Sequence, residues 1–159
     1  MEFNEDLDEV EVTPTTVDVD AVKGLVLKLI ELVRQKHTID PDRIVVTGYS
    51  MGGMGVWHLT ARHPEIFRAG IVVSGEPPAG ATPGQWRVPL YVIHSRQDEV
   101  LPLAPAQDLT SRMKKAGLRV ELRVVTGITH YQVDGFVEPL KAAVPWLKKI
   151  WKQGGKPVS

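Results

Sequence analysis

The sequence predicts an α/β domain: a mostly parallel sheet of about four strands, covered by helices on both faces. Three observations predict it. Four short apolar runs, at 44–47, 69–73, 90–93 and 119–125, recur along the chain with helix-like segments between them. The first three are almost unbroken and rich in β-branched residues, which marks strands buried on both faces. No linker, repeat or low-complexity tract divides the 159 residues, a length that suits one domain of roughly 150 residues. The expected domain spans residues 1–159, with an acidic N-terminal arm over 1–18 and the core over 19–152.

Each element has a local reason. Val10-Glu11-Val12-Thr13 alternates apolar and polar residues, so a short strand fits there until Pro14 breaks it. From Val19 to Lys36, Val22, Leu25, Val26, Leu29, Leu32 and Val33 recur at steps of three and four, one apolar stripe on a helix. Asp18 suits its N-cap. Ile39-Asp40-Pro41-Asp42 reads as a turn, because Pro41 biases Asp40 away from helix. Between the third and fourth runs, Pro105 to Ala116 reads as a helix. Pro105 lies in its first turn, Lys114 and Lys115 in its last, and Gly117 at C′. The fourth run alternates Val120, Leu122 and Val124 with Arg119, Glu121 and Arg123, as a strand at or near a sheet edge does. A last helix, from about Glu138 to Lys152, carries Leu140, Val144, Leu147 and Trp151, and Pro145 should kink or restart it. Crossovers between the parallel strands should be right-handed.

Composition removes several function classes. Lys plus Arg is 19 and Asp plus Glu is 19, so the basic excess of an electrostatic nucleic-acid binder is missing. With no cysteine, disulfides, Cys-ligated zinc, iron–sulfur clusters and thiol nucleophiles are excluded. No apolar run reaches membrane-span length, and no signal peptide opens the chain, so cytoplasm is the default location and no membrane partner is expected. Charge is uneven, however. The first eleven residues hold Glu2, Glu5, Asp6, Asp8, Glu9 and Glu11, and the last stretch holds Lys141, Lys148, Lys149, Lys152 and Lys156. Two solvated ends explain this; so does an acidic arm that meets a basic surface.

The first buried run leads into Gly48-Tyr49-Ser50-Met51-Gly52. This is the G-x-S-x-G nucleophile elbow, with a strand before it and a helix after it. The elbow pushes the serine hydroxyl above the strand end in a strained turn, and bulk two residues before or after would collide. Gly53 and Gly55 would let the next helix pack closely on the sheet. A phosphate loop would need a Gly-Lys-Ser/Thr ending, which is missing here. Serine needs a histidine base, and the base needs a carboxylate to orient it. Asp98 follows the third run and His130 follows the fourth. Parallel strands gather such loops at their carboxyl ends, so topology brings all three together. Glu99 competes with Asp98 as the orienter. His94, which ends a strand, suits holding the Asp98 loop by a hydrogen bond. His58 and His63 suit a helix surface or end, Trp57 suits the core, and no pair of these residues has metal-ligand spacing.

On these residues the chain resembles the α/β-hydrolase superfamily. It is most similar there to short carboxylesterases, feruloyl-esterase-like enzymes and predicted peptidases. The resemblance rests on Asp40-Pro41-Asp42-Arg43-Ile44 with the elbow, Pro64-Glu65-Ile66-Phe67, His94 to Pro102, and Gly127 to His130. It implies Ser50 as nucleophile, Asp98 as orienter, His130 as base and the Met51 amide as an oxyanion donor. It implies a carboxylesterase without a cofactor, acting on a small-molecule ester. An amide hydrolase and a non-catalytic interaction protein are the alternatives. Residues 75–87 are too short for a lid domain, which favours small substrates. Tyr49, Glu76, Trp86 and Tyr131 are candidates for lining the substrate pocket.

The chain departs from the family pattern on its N-terminal side. Only some 43 residues precede the elbow strand, with no His-Gly pair, so a second oxyanion donor has no visible source. The elbow strand would also lack its outer neighbour, and an exposed apolar edge invites pairing. Either Val10 to Thr13 or a second protomer in a two-fold homodimer would cover it.

Overall fold

The computed structural model describes residues 19–153. The strand expected at Val10 to Thr13, the acidic run, the Asp18 cap and Lys156 lie outside the described residues. The elements run α1 (Val19–Lys36), β1 (Val45–Tyr49), α2 (Met51–Arg62), β2 (Ala69–Val73), β3 (Leu90–Ser95), α3 (Leu103–Lys115), β4 (Val120–Val125) and α4 (Val137–Lys152). One four-stranded sheet holds β1-β2-β3-β4 in that order, and every pair is parallel. Val46 faces Gly70, Gly70 faces Leu90 and Leu90 faces Val120 across it. Since each strand pairs with the next in sequence, all four carboxyl ends lie along one border.

The sheet separates two apolar layers. Val72, Leu90, Val92 and Val120 pack against Val56 and Trp57 of α2 and Ala106, Leu109 and Met113 of α3. Ile71, Val73, Tyr91 and Ile93 pack on the other face against Phe136 and Ala143, with Trp146 of α4 alongside. This accounts for the unbroken apolar sequence of β2 and β3, whose residues are all buried. β4 is an edge, with Glu121 and Arg123 exposed and Val120 buried.

Three expectations are corrected. β1 is only half-buried and Thr47 is exposed, because β1 is the opposite edge and pairs with β2 alone among the described residues. The apolar stripe of α1 is largely exposed among the described residues. Val22, Leu25, Leu29, Leu32 and Val33 are exposed, Lys23 is buried and Val26, Leu27 and Ile30 are half-buried, while Val22, Lys23 and Val26 border a cavity with Val46, Met51 and Leu59. Helical spacing identifies a stripe but not which neighbour it meets. Finally, of the kink or restart expected at Pro145, the restart does not occur, because α4 is one continuous helix.

Candidate active site

The turn that carries Ser50 is built by sterics. Ser50 has φ 54° and ψ −118°, a region that non-glycine residues rarely occupy and that stores strain. Its N–H donates to the Val73 carbonyl at 2.9 Å, and its carbonyl accepts from Met54 N–H at 3.0 Å. The chain is therefore pinned on both sides of the strained residue. A Cβ on Gly48 would lie 2.3 Å from the Gly52 backbone, so only glycine fits there. The same test corrects the expectation for Gly52 and Gly55, where a Cβ would meet nothing within 4 Å. Gly53 is required, since its Cβ would lie 2.9 Å from the Gly75 Cα and the Val73 carbonyl.

Ser50, His130 and Asp98 form one hydrogen-bonded line. Ser50 Oγ lies 2.9 Å from His130 Nε2. His130 Nδ1 lies 2.9 Å from each Asp98 oxygen. With Nδ1–H donating to the carboxylate, Nε2 is left as an acceptor for the serine proton. The Asp98 side chain is buried, and Val100 and Leu101 N–H also donate to Oδ1, at 3.0 and 2.8 Å. Burial works against its ionisation. The hydrogen bond from His130 and those from Leu101 and Val100 outweigh it, so the carboxyl titrates below its ordinary value of 3.8.

The structure divides the work of the two neighbouring carboxylates. Asp98 meets the ring of His130, and Glu99 Oε2 accepts its backbone N–H at 2.8 Å. Tyr49 donates its hydroxyl to the His130 carbonyl. Burial first, then the Asp98 charge, raises the Tyr49 pKa, which keeps that hydroxyl a donor. The Tyr49 ring also lies 5.2 Å from the His130 ring. Tyr49 thus supports the histidine. The preceding loop is tied in the same way: Gln97 Oε1 accepts Gly127 N–H and Gln132 Oε1 accepts Thr129 N–H, both at 2.8 Å, and Ser95 donates to the Ile128 carbonyl. Sequence reasoning missed Ser95, Gln97 and Gln132, because nothing in their spacing marks them.

His94 is wholly buried, and its Nε2 donates to the Leu101 carbonyl at 2.8 Å, as expected of a residue that holds the Asp98 loop. Met51 opens α2, so its N–H is among the first-turn donors that no intrahelical carbonyl takes. It lies directly after Ser50, where an oxyanion would form. Tyr131 is 74% exposed, with its ring edge-on to His130 at 5.3 Å.

One expected pocket residue lies elsewhere. Trp86 is buried in the core, with Nε1 donating to the Trp57 carbonyl at 3.0 Å and its ring edge-on to Trp57. A large aromatic in a Pro- and Gly-rich loop anchors that loop here instead of meeting a ligand. Glu76 lines a cavity of about 440 Å³ with Met54, Pro105, Asp108 and Arg112. Trp57 lies in the core, as its place on α2 predicts. Among the described residues, no group of three or more His, Asp or Glu could hold a metal ion, and no helix is long and apolar enough to cross a membrane.

Comparison with known proteins adds the following. The sequence profile of the dienelactone hydrolase family matches residues 5–145. The bifunctional acetylxylan esterase/xylanase XynS20E of Neocallimastix patriciarum is 30% identical over 89 residues, which are 55% of this chain and 13% of that protein. A carboxymethylenebutenolidase homolog of Pongo abelii is 29% identical over 103 residues, 64% of this chain and 40% of that protein. The crystal structure of a thermostable esterase superposes with a TM-score of 0.67 at 25% identity, covering 81% of this chain and 36% of that one. The chain therefore spans well under two thirds of the length of these relatives.

Proposed function

The chain belongs to the dienelactone hydrolase family, and from that premise we propose that it is a serine carboxylesterase acting on small, short-chain acyl esters. The observation that carries this reading is the line from Ser50 Oγ through His130 to Asp98, with 2.9 Å at each step. Members of the family often use cysteine as nucleophile. This chain has none, so the nucleophile is an oxygen, and Ser50 is the hydroxyl beside a base.

The chemistry follows from the contacts. Ser50 Oγ attacks the ester carbonyl carbon as His130 Nε2 takes its proton. The negative charge gathers on the carbonyl oxygen, where the Met51 N–H donates to it. Asp98 stabilises the imidazolium and fixes its tautomer. The tetrahedral intermediate collapses, the alkoxide leaves with the proton from His130, and an acyl-Ser50 ester remains. Water then attacks this ester while His130 takes its proton, and collapse returns the proton to Ser50 and releases the carboxylic acid. No cofactor enters either half.

Two features support small substrates. The loop after β2 turns away toward α2 and α3, held by Trp86 on Trp57 and by Arg112 on the Ala81 carbonyl at 3.2 Å. Met51 and Tyr131, at the mouth of the site, are exposed.

A fluorophosphonate probe tests the nucleophile: the folded chain should be labelled at Ser50, and Ser50→Ala should not. Absence of label on the folded chain would overturn the enzyme reading in favour of an interaction protein. Rates on p-nitrophenyl acetate and on the matching anilide test the bond cleaved. Faster anilide hydrolysis would move the assignment to amides.

A further inference from the structure

The cavity that Glu76 lines is walled by α2, α3 and the loop after β2. Two contacts set it against the elbow. Met54, which lines it, donates its N–H to the Ser50 carbonyl at 3.0 Å. Glu76 follows Gly75, and Gly75 packs so tightly on α2 that a Cβ there would lie 2.5 Å from the Gly53 carbonyl carbon. The loop leaves β2 through Ser74 at φ 45°, a strained turn that persists where its surroundings fix it. Glu76 is thus held one residue beyond a fixed junction with α2.

The charges of this cavity do not balance. Glu76, Asp108 and Arg112 are its charged residues. Arg112 Nε donates to Asp108 Oδ2 at 2.9 Å, and both terminal nitrogens of Arg112 donate to the Ala81 carbonyl at 3.2 Å. Arg112 and Asp108 therefore neutralise each other. Glu76 is half-buried and has no hydrogen-bond or ion-pair partner among the described residues. Residues 1–18 contain no Lys, Arg or His, so no side chain of that segment supplies its cation. Around it the wall is apolar, through Met54, Pro77, Ala81, Pro105 and Leu109. Apolar surroundings strengthen the pull of a carboxylate on a cation.

The two faces of the sheet assign the two sides of an ester. The His130 ring lies against Tyr49, and Tyr49 against Phe136, in the layer that α4 covers. The leaving oxygen must lie beside His130 Nε2 to receive its proton. The cavity borders the opposite layer, through Ala81 and Leu109. The acyl group, across the carbonyl carbon from the leaving oxygen, points there. We infer that this cavity is an acyl subsite that selects an acyl group with a cationic end, and that Glu76 is its specificity residue. The inference rests on the esterase reading of Ser50 and deepens it. An acyl group that ends in a carboxylate is repelled.

Two p-nitrophenyl esters of one shape test it: the γ-trimethylammoniobutyrate, and its neutral isostere with a tert-butyl group in place of the trimethylammonium. The wild type should hydrolyse the cationic ester with kcat/KM about fivefold to twentyfold higher, and added salt should shrink that ratio. Glu76→Gln should bring it to about one. Acetylthiocholine and its tert-butyl isostere carry the same pair of groups on the leaving side, and Glu76→Gln should not move their ratio. Titration calorimetry on Ser50→Ala should show the acyl-side preference without turnover. A ratio near one in the wild type, or one that neither salt nor Glu76→Gln lowers, overturns the inference and leaves the esterase reading standing. A Glu76-dependent preference on the leaving side overturns the acyl assignment. Hydrolysis of neither ester overturns the esterase reading, and the Ser50→Ala titration then decides the cavity: equal binding of the two esters overturns the inference as well.

Discussion

His130 and Leu29 stand at two borders of the same sheet. At His130 the ring, the N–H and the carbonyl each have a named partner, and the residue is 2% exposed. Leu29 lies 58% exposed on α1. The first border is over-determined by polar contacts of fixed geometry. The second is left with non-directional apolar surface. A site that must hold a proton path needs directional bonds, since small displacements cost rate. An apolar helix face imposes no such geometry.

Mutations at the two borders should therefore separate activity from stability. Ser50→Ala should have the largest effect, lowering kcat about 10⁴- to 10⁶-fold. Melting should change little, measured beside initial rates on p-nitrophenyl acetate. A retained rate would break the assignment of the directional border.

Asp98→Asn should follow, with a loss of about 10³- to 10⁴-fold in kcat. It also has a pH signature. The folded pKa of Asp98 lies below its ordinary 3.8. Its contribution to stability is thus fully present above that value and is lost as pH falls through the folded pKa. The wild type should lose stability there more steeply than Asp98→Asn, as acid titration followed by circular dichroism would show.

Trp86→Ala should cost about 3–5 kcal/mol in urea unfolding, because Trp86 fills the core instead of the substrate pocket. A change in KM without a change in stability would return it to the pocket. Glu99→Gln should lower kcat only about fivefold, the worth of roughly 1 kcal/mol of hydrogen bonding. Leu25→Ala should change the stability of one protomer by less than about 0.5 kcal/mol, despite its large apolar side chain. A large loss there would mean that the α1 seam is covered within the chain.

Legibility in the sequence follows the same division. The elbow was readable because sterics leave glycine alone at Gly48, and strained turns restrict residue choice. Asp98 and His130 were readable because parallel topology fixes where loops gather. β2 and β3 were readable from unbroken apolar runs, and β4 from its alternation. The outward turn of the α1 stripe was not readable, because periodicity describes a helix and not its neighbours. Glu99 was weighed for the ring of His130 and met its backbone instead. Adjacent carboxylates in one loop differ by orientation, which their order does not encode. Trp86 misled because loop aromatics serve ligands and cores alike.

The Ser50–His130 hydrogen bond joins residues 80 apart in sequence, and the Asp98–His130 bond joins residues 32 apart. The first needs β1, β2, β3 and β4 all paired in order, and the second needs β3 paired with β4. Such non-local closure comes late and slowly in folding. Reaction with a serine-directed probe therefore reports the last step of assembly, and an incompletely folded chain carries a hydroxyl no more reactive than any other serine. On the proposed mechanism, reactivity and native topology arise together.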